Sequence, residues 1–205
     1  MLGCMMRFVP QHILYGYIAY ENNQYFWMVM TNYRRLYVNG ATWFFTVNLV
    51  QRNNNSLLVD EIELLRQSFR YVKQRHPFVI NAIVIMPEHL HCIWTLPDGD
   101  TDYSMRWRLI KSYFSRGISK GEAISQSRIK RQERGIWQRR FWAHLIINQD
   151  DFNTHVDYIH WNPVKHGWVK CVSDWAHSSF NRYVAMGVYP ENWGHCGDFE
   201  IDGGE

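Results

Sequence analysis

The chain has 205 residues, long enough to bury a core of ordinary size in one domain with decorations. Apolar residues make up 46% and charged residues 20%, which excludes a disordered chain, and a formal charge of +3 does not by itself imply a polyanionic partner. The charge is unevenly placed: residues 106–140 hold 11 Lys and Arg against two Glu, +9 there and −6 elsewhere. Crowding of one sign faces a polyanion or sits in a solvated loop.

Four scattered cysteines, with no CxxC pair, read as free thiols in a reducing compartment. No apolar run reaches the roughly 18 residues a membrane helix needs, and the N-terminus lacks the pattern of a secretory signal. The expectation is a soluble, cytoplasmic protein without a membrane partner.

Residues 1–29 are rich in Met and aromatics and suit a loose hairpin. Residues 41–50 are aromatic and β-branched, the composition of a strand, and a turn follows at Asn53–Ser56. Ile62, Leu65, Phe69 and Val72 recur at helical spacing and predict an amphipathic helix of about four turns that ends before Pro77. Residues 78–86 are nearly all apolar and predict a buried strand, which turns at Pro87-Glu88 into a second strand over 89–96. A helix with a basic stripe covers 105–116. Residues 117–135 lack any apolar period and read as a long basic loop. A further strand over 143–148 and a helix from Asp150 or Asp151 to Asn162, stopped by Pro163, complete the core elements, and residues 191–205 read as an acidic, flexible tail. This order predicts an α+β fold, a ferredoxin-like sandwich whose antiparallel sheet is covered by helices on one face.

Two pairs of residues carry the chemistry. His89 and His91 alternate along a predicted strand, so both imidazoles project from one face, about 7 Å apart at the backbone, where they can share a divalent cation. Two ligands leave the shell incomplete, and an HxH also arises by chance among 10 His. Tyr158 and Asn162 lie four apart on a predicted helix and share its face. A phenol beside a cation-bound phosphate can attack it covalently; a half-buried Tyr and a helix-capping Asn are the plainer alternative.

Together these pairs resemble a known family. Met86-Pro-Glu-His-Leu-His-Cys-Ile-Trp-Thr-Leu96 is similar to the His-hydrophobic-His (HUH) motif of single-tyrosine transposases, and Asp157-Tyr-Ile-His-Trp-Asn-Pro-Val-Lys-His-Gly-Trp-Val169 to their nucleophile helix. With Tyr33-Arg-Arg, Thr42-Trp-Phe-Phe-Thr-Val-Asn48 and Arg140-Phe-Trp142, the match narrows to the REP-associated tyrosine transposases and covers roughly residues 30–189. The resemblance implies cutting and rejoining of single-stranded DNA at REP hairpins through a covalent 5′-phosphotyrosine, with Mg²⁺ or Mn²⁺. By position it assigns His89, His91 and Asn162 to the metal and Tyr158 to the nucleophile. It implies a nucleoid-associated monomer that uses its own tyrosine. Met30-Thr-Asn-Tyr-Arg-Arg reads like a family start, so the expectation is that translation begins at Met28 or Met30, that residues 1–29 are an N-terminal extension added by a mis-assigned start, and that 30–190 is the transposase domain.

Candidates for phosphate contacts are Arg34, Arg35, Arg106, Arg108, Lys111, Arg139 and Arg140, and Trp43, Trp107 and Trp161 could stack unpaired bases. His155, His160 and His166 surround the nucleophile as exposed helix polarity, and Glu88 stands ready to orient an imidazole. Two rival readings stay open: a non-catalytic, domesticated protein that holds REP hairpins, and a phosphoesterase that uses water.

Overall fold

The computed structural model describes residues 37–122 and 124–194. The expected N-terminal hairpin, Arg34, Arg35 and the acidic end of the tail lie outside them. Four strands, β1 (Thr42–Asn48), β2 (Val79–Ile85), β3 (His89–Thr95) and β4 (Trp142–Leu145), form one antiparallel sheet in the order β2-β3-β1-β4. A short helix α1 (Leu57–Asp60) leads into α2 (Ile62–Arg75), and α3 (Tyr103–Gly117) follows β3. A single turn α4 (Gln126–Ile129) interrupts the basic loop, α5 (Gln149–Lys165) follows β4, and α6 (Phe180–Ala185) comes last. The path β1-α2-β2-β3-α3-β4 with this strand order is the ferredoxin-like plan.

The two faces of the sheet take alternate residues of the same strands. Trp43, Phe45 and Val47 of β1 and Leu90, Cys92 and Trp94 of β3 pack with Leu65, Phe69 and Val72 of α2 and Trp107, Ile110 and Phe114 of α3. Phe44 of β1, Ile93 of β3, and Ala82 and Val84 of β2 pack with Val156 and Ile159 of α5. The expectation of helices on one face therefore holds for α2 and α3 but not for α5. β3 is buried at its first six positions because helices cover both its sides.

Three boundaries differ from expectation. β4 is shorter and ends at Leu145, because Asn148 serves instead as the cap of α5, its side chain accepting from the Asp151 N–H. Pro163 does not stop α5, which runs on to Lys165. Proline removes one hydrogen bond, and the turn beyond is closed by a Schellman arrangement: Gly167, at φ +69°, donates to Val164 O and Trp168 donates to Pro163 O. At the start of the expected flexible tail, Trp193 is buried against Tyr189, ring centroids 4.5 Å apart.

The basic loop is tied down by its own arginines. Arg134 pairs with Glu122 and donates to the carbonyls of Ser115, Ile118 and Ser119, while Arg128 donates to those of Arg134 and Trp137. No helix among the described residues is long and apolar enough to cross a membrane.

Candidate active site

The α5 face of the sheet carries the polar residues. β1 and β3 pair with Thr46 opposite His91 and Asn48 opposite His89, so the two imidazoles stand on the same side as Phe44. Both rings are buried and their centroids are 4.9 Å apart. Each has one nitrogen held by the protein: His91 Nδ1 meets Thr46 Oγ1 at 2.8 Å, and His89 Nδ1 meets Glu88 Oε1 at 2.9 Å. That leaves Nε2 of each ring to offer a lone pair. Burial would raise the Glu88 carboxyl, but the hydrogen bond and charge of His89, with Arg52 beside it, bring it down to about 2. Burial, then the charges of His89, His166, Lys165 and Arg52, keep His91 well below the ordinary histidine range, hence neutral at pH 7.

α5 lays a stripe across these rings. Asp151, His155, Tyr158, Asn162 and Lys165 recur at i, i+4, i+7, i+11 and i+14, the spacing of one helical face. The Tyr158 ring lies 5.1 Å from that of His91 and 6.1 Å from that of Phe44, centroid to centroid. Burial raises its pKa, partly offset by the approach of the Asn162 side chain. Asn162 is fully buried, and among the described residues neither its amide oxygen nor its amide nitrogen completes a hydrogen bond. A buried amide left unpaired costs about 1–3 kcal/mol unless a ligand satisfies it. The ammonium of Lys165 sits 5.0 Å from the Tyr158 ring centroid, with its pKa lowered by partial burial, and the His166 ring is 5.4 Å from that of His89.

These residues fit a divalent cation: two imidazoles with Nδ1 already engaged, and a buried amide oxygen with no partner of its own. The structure brings His89, His91 and Tyr158 into one constellation, with Asn162 one turn beyond Tyr158.

The expected DNA contacts divide. Arg106 is withdrawn from the surface: it is 1% exposed, its guanidinium grips Asp100 through two nitrogens (3.1 and 2.6 Å) and donates to the carbonyls of His76, Pro77 and Asp102. It is a staple between α3 and the preceding loops, and its charge is spent on Asp100. Lys111 is likewise turned inward, donating to Gln138 O at 3.0 Å beside the rings of Trp137 and Phe141. Arg108, Arg139 and Arg140 are exposed, Arg139 paired with Glu133 at 2.6 Å. Trp43 and Trp107 are core residues, closed to any base, while Trp161 is half-buried. His160, expected as exposed polarity, is fully buried and bonded to Ser179 Oγ at 2.9 Å; a buried side chain on an inward helical position needs such a partner. His155 is half-buried against Asp151, and His166 is exposed.

Thr46 and Lys165 were not anticipated. The register of β1 against β3 identifies the first, and the helical period identifies the second once α5 is carried past Pro163.

An antiparallel sheet with a paired-histidine strand, crossed by a tyrosine helix, defines a class, and comparison with known proteins agrees. The family model described as "Transposase IS200 like" matches residues 19–162. The REP-associated tyrosine transposase of Escherichia coli K12 is 51% identical over 171 residues, 83% of this chain and 95% of that protein. A Haemophilus influenzae relative named for the same transposase group is 42% identical over 175 residues, 85% of this chain and 99% of its own. A solved structure of a REP-associated tyrosine transposase bound to a REP hairpin superposes with a TM-score of 0.69 at 50% identity, covering 83% of this chain and 96% of that one. The chain belongs to the IS200-like transposases, in their REP-associated tyrosine branch.

Proposed function

We propose that this transposase cuts and rejoins single-stranded DNA at REP-type hairpins, with Tyr158 as nucleophile and His89, His91 and Asn162 as ligands of a divalent cation, Mg²⁺ or Mn²⁺. The observation that carries the reading is the placement of the Tyr158 phenol, 5.1 Å ring to ring from a His91 whose Nδ1 is held and whose Nε2 is free to coordinate. The hairpin as partner is supported by the relative solved in complex with one.

In the proposed reaction Tyr158 Oη attacks the scissile phosphorus, the P–O3′ bond breaks, the phenol gives up its proton and the departing 3′ oxygen gains one. A 5′-phosphotyrosine and a free 3′-OH result, and rejoining runs the exchange backwards without ATP. Bound by His89, His91 and Asn162, a divalent cation supplies Lewis-acid polarisation of the phosphate. The Glu88 carboxylate, an acceptor only, holds His89 in the tautomer that coordinates through Nε2, and Thr46 Oγ1 orients the His91 ring. The phenol, raised by burial, enters as the neutral form at pH 7, and the nearby Lys165 ammonium favours the charge it develops on losing its proton. Imidazole nitrogens suit Mn²⁺ better than Mg²⁺.

All these groups come from one chain, which supports action as a monomer, and the exposed Arg108, Arg139 and Arg140 are the phosphate contacts we retain. Such a protein works among nucleoid DNA.

The test is a labelled single-stranded REP hairpin incubated with Mn²⁺ or Mg²⁺ and run on a denaturing gel beside Tyr158→Phe and His89→Ala. A protein-linked band that needs the metal, the tyrosine and the histidine is expected. Cleavage that survives Tyr158→Phe would transfer the chemistry to water, and tight binding without cleavage would leave a hairpin-binding module.

A further inference from the structure

A second cluster of metal-binding side chains lies on the same face, outside the constellation just described. His144 stands on edge strand β4 opposite Phe44, so strand pairing turns it toward α5. Asp151 and His155 lie one turn apart on α5 and face it. His144 Nε2 is 3.0 and 2.9 Å from Asp151 Oδ1 and Oδ2, and His155 Nδ1 is 2.9 Å from Oδ1 and donates to the Asp151 backbone carbonyl at 2.8 Å. The two imidazoles stack, 4.6 Å between centroids and 18° between planes. One ligand atom from each residue can be chosen so that all three lie within 4.8 Å of one another. Zn²⁺ takes nitrogen and oxygen ligands at about 2.0–2.2 Å, so the ligand atoms of one ion lie within this spacing of one another.

We propose that His144, Asp151 and His155 form a transition-metal site that clamps the first turns of α5 to the edge strand β4. The donor set, two imidazoles and one carboxylate, is the borderline mixture that favours Zn²⁺, Co²⁺ or Ni²⁺ over Mg²⁺. The Asp151 carboxylate accepts from the Ile147 N–H at 3.0 Å, and the Asp151 backbone N–H donates to Asn148 Oδ1 at 2.8 Å, which holds the residue in place. Side-chain exposures of 33%, 15% and 14% leave the site shielded yet open to an entering ion on the His144 side. Burial lowers the pKa of His155 against the opposing pull of Asp151. Phe44 lies 4.6 Å from the His155 ring and Trp142 stacks on His144 at 5.7 Å. Phe44 also touches Tyr158 and His91, so a cation here stiffens the helix that carries the nucleophile without contacting the nucleophile itself.

The site does not depend on the reading of Tyr158, and its test removes the other site first. Zinc bound per chain is measured by equilibrium dialysis on the full chain carrying His89→Ala and His91→Ala. One Zn²⁺ is expected to remain, with a saturable rise in Tm as Zn²⁺ is added. Adding Asp151→Asn, which keeps a hydrogen-bonding side chain, or His144→Gln is expected to abolish both the bound zinc and the Tm rise while leaving the far-UV spectrum unchanged. Co²⁺ on the same proteins gives an independent reading through its visible absorption, which should appear with the cluster intact and vanish in either variant. No zinc on the double-alanine protein, or zinc and Co²⁺ absorption that survive His144→Gln, would overturn the proposal. Failure of the wild-type chain to form a covalent DNA adduct, with zinc still bound by the double-alanine protein, would instead refute the active-site reading and leave this one standing.

Discussion

The two faces of the sheet are built from alternate residues of the same strands, yet one is an aromatic core and the other carries the proposed reaction site. On the α2/α3 side, Trp94 stacks on Trp107 at 4.3 Å and meets Phe78 at a tilt at 4.2 Å, with Phe69 and Phe45 edge-on or tilted around them. On the α5 side the apolar cluster is smaller, and His89, His91, Thr46, Tyr158 and Asn162 take positions an ordinary core would fill with Leu or Ile. The first face concentrates the burial of large aromatic surface, which at about 25 cal/mol per Å² is the dominant stabilising contribution. The second carries an unpaired amide and a His91 ring held neutral by burial, features that cost stability and suit the proposed ligand site. The strand pleat lets one set of backbone hydrogen bonds serve both.

That division can be broken one face at a time. The largest effect is expected from Tyr158→Phe, which removes only the phenolic oxygen: strand cleavage should fall at least about 10³-fold while hairpin affinity stays within about twofold, measured on gels and by anisotropy. On the opposite face, Trp94→Ala should destabilise the fold by about 3–5 kcal/mol in urea titrations, because four neighbouring rings lose a partner and cannot collapse into the gap. Arg106→Ala should cost about 3 kcal/mol, since it strands Asp100 and three carbonyls, and should leave the salt dependence of hairpin binding unchanged.

Smaller and more diagnostic is the acid limb. Burial, and secondarily the Arg182 charge, bring His160 down to about 3, whereas the unfolded chain titrates near the ordinary histidine value of 6.5. Above that value the two states bind the same number of protons. As pH falls from about 6.5 toward 3 the unfolded state gains a proton that the folded state refuses, so stability declines by at most about 1.4 kcal/mol per pH unit from this residue. His160→Gln should flatten that slope between pH 6 and 4 in denaturant midpoints. Least of all, Arg108→Ala should weaken hairpin binding modestly and reduce its salt slope by about one, which separates a surface arginine from the buried Arg106.

Much of this arrangement was legible in the residues. The alternation that places His89 and His91 together, and the four-residue step from Tyr158 to Asn162, are geometric consequences of strand and helix, and the structure honours both. Charge was less informative than its sign: Arg106 and Arg108 are equally basic in sequence, but only the course of the chain brings Asp100 and the carbonyls of His76 and Pro77 around the first. Proline misled in a specific way. Ending α5 at Pro163 hides Lys165, the residue that completes the stripe beside Tyr158, whereas a Schellman turn two residues later is what ends the helix. The face taken by α5 was also hidden, because the nearly continuous apolar run of residues 78–86 signals burial without saying which helix supplies it.

The central claim, that the α5 face is a single-tyrosine nuclease site, is tested most directly by locating the covalent bond. The protein is incubated with a REP hairpin and Mn²⁺, digested, and the tyrosine-bearing peptides are sequenced by tandem mass spectrometry. A 5′-phosphonucleotide on Tyr158 and on no other tyrosine is the expected result. Cleaved DNA accompanied by an unmodified Tyr158 would contradict the account.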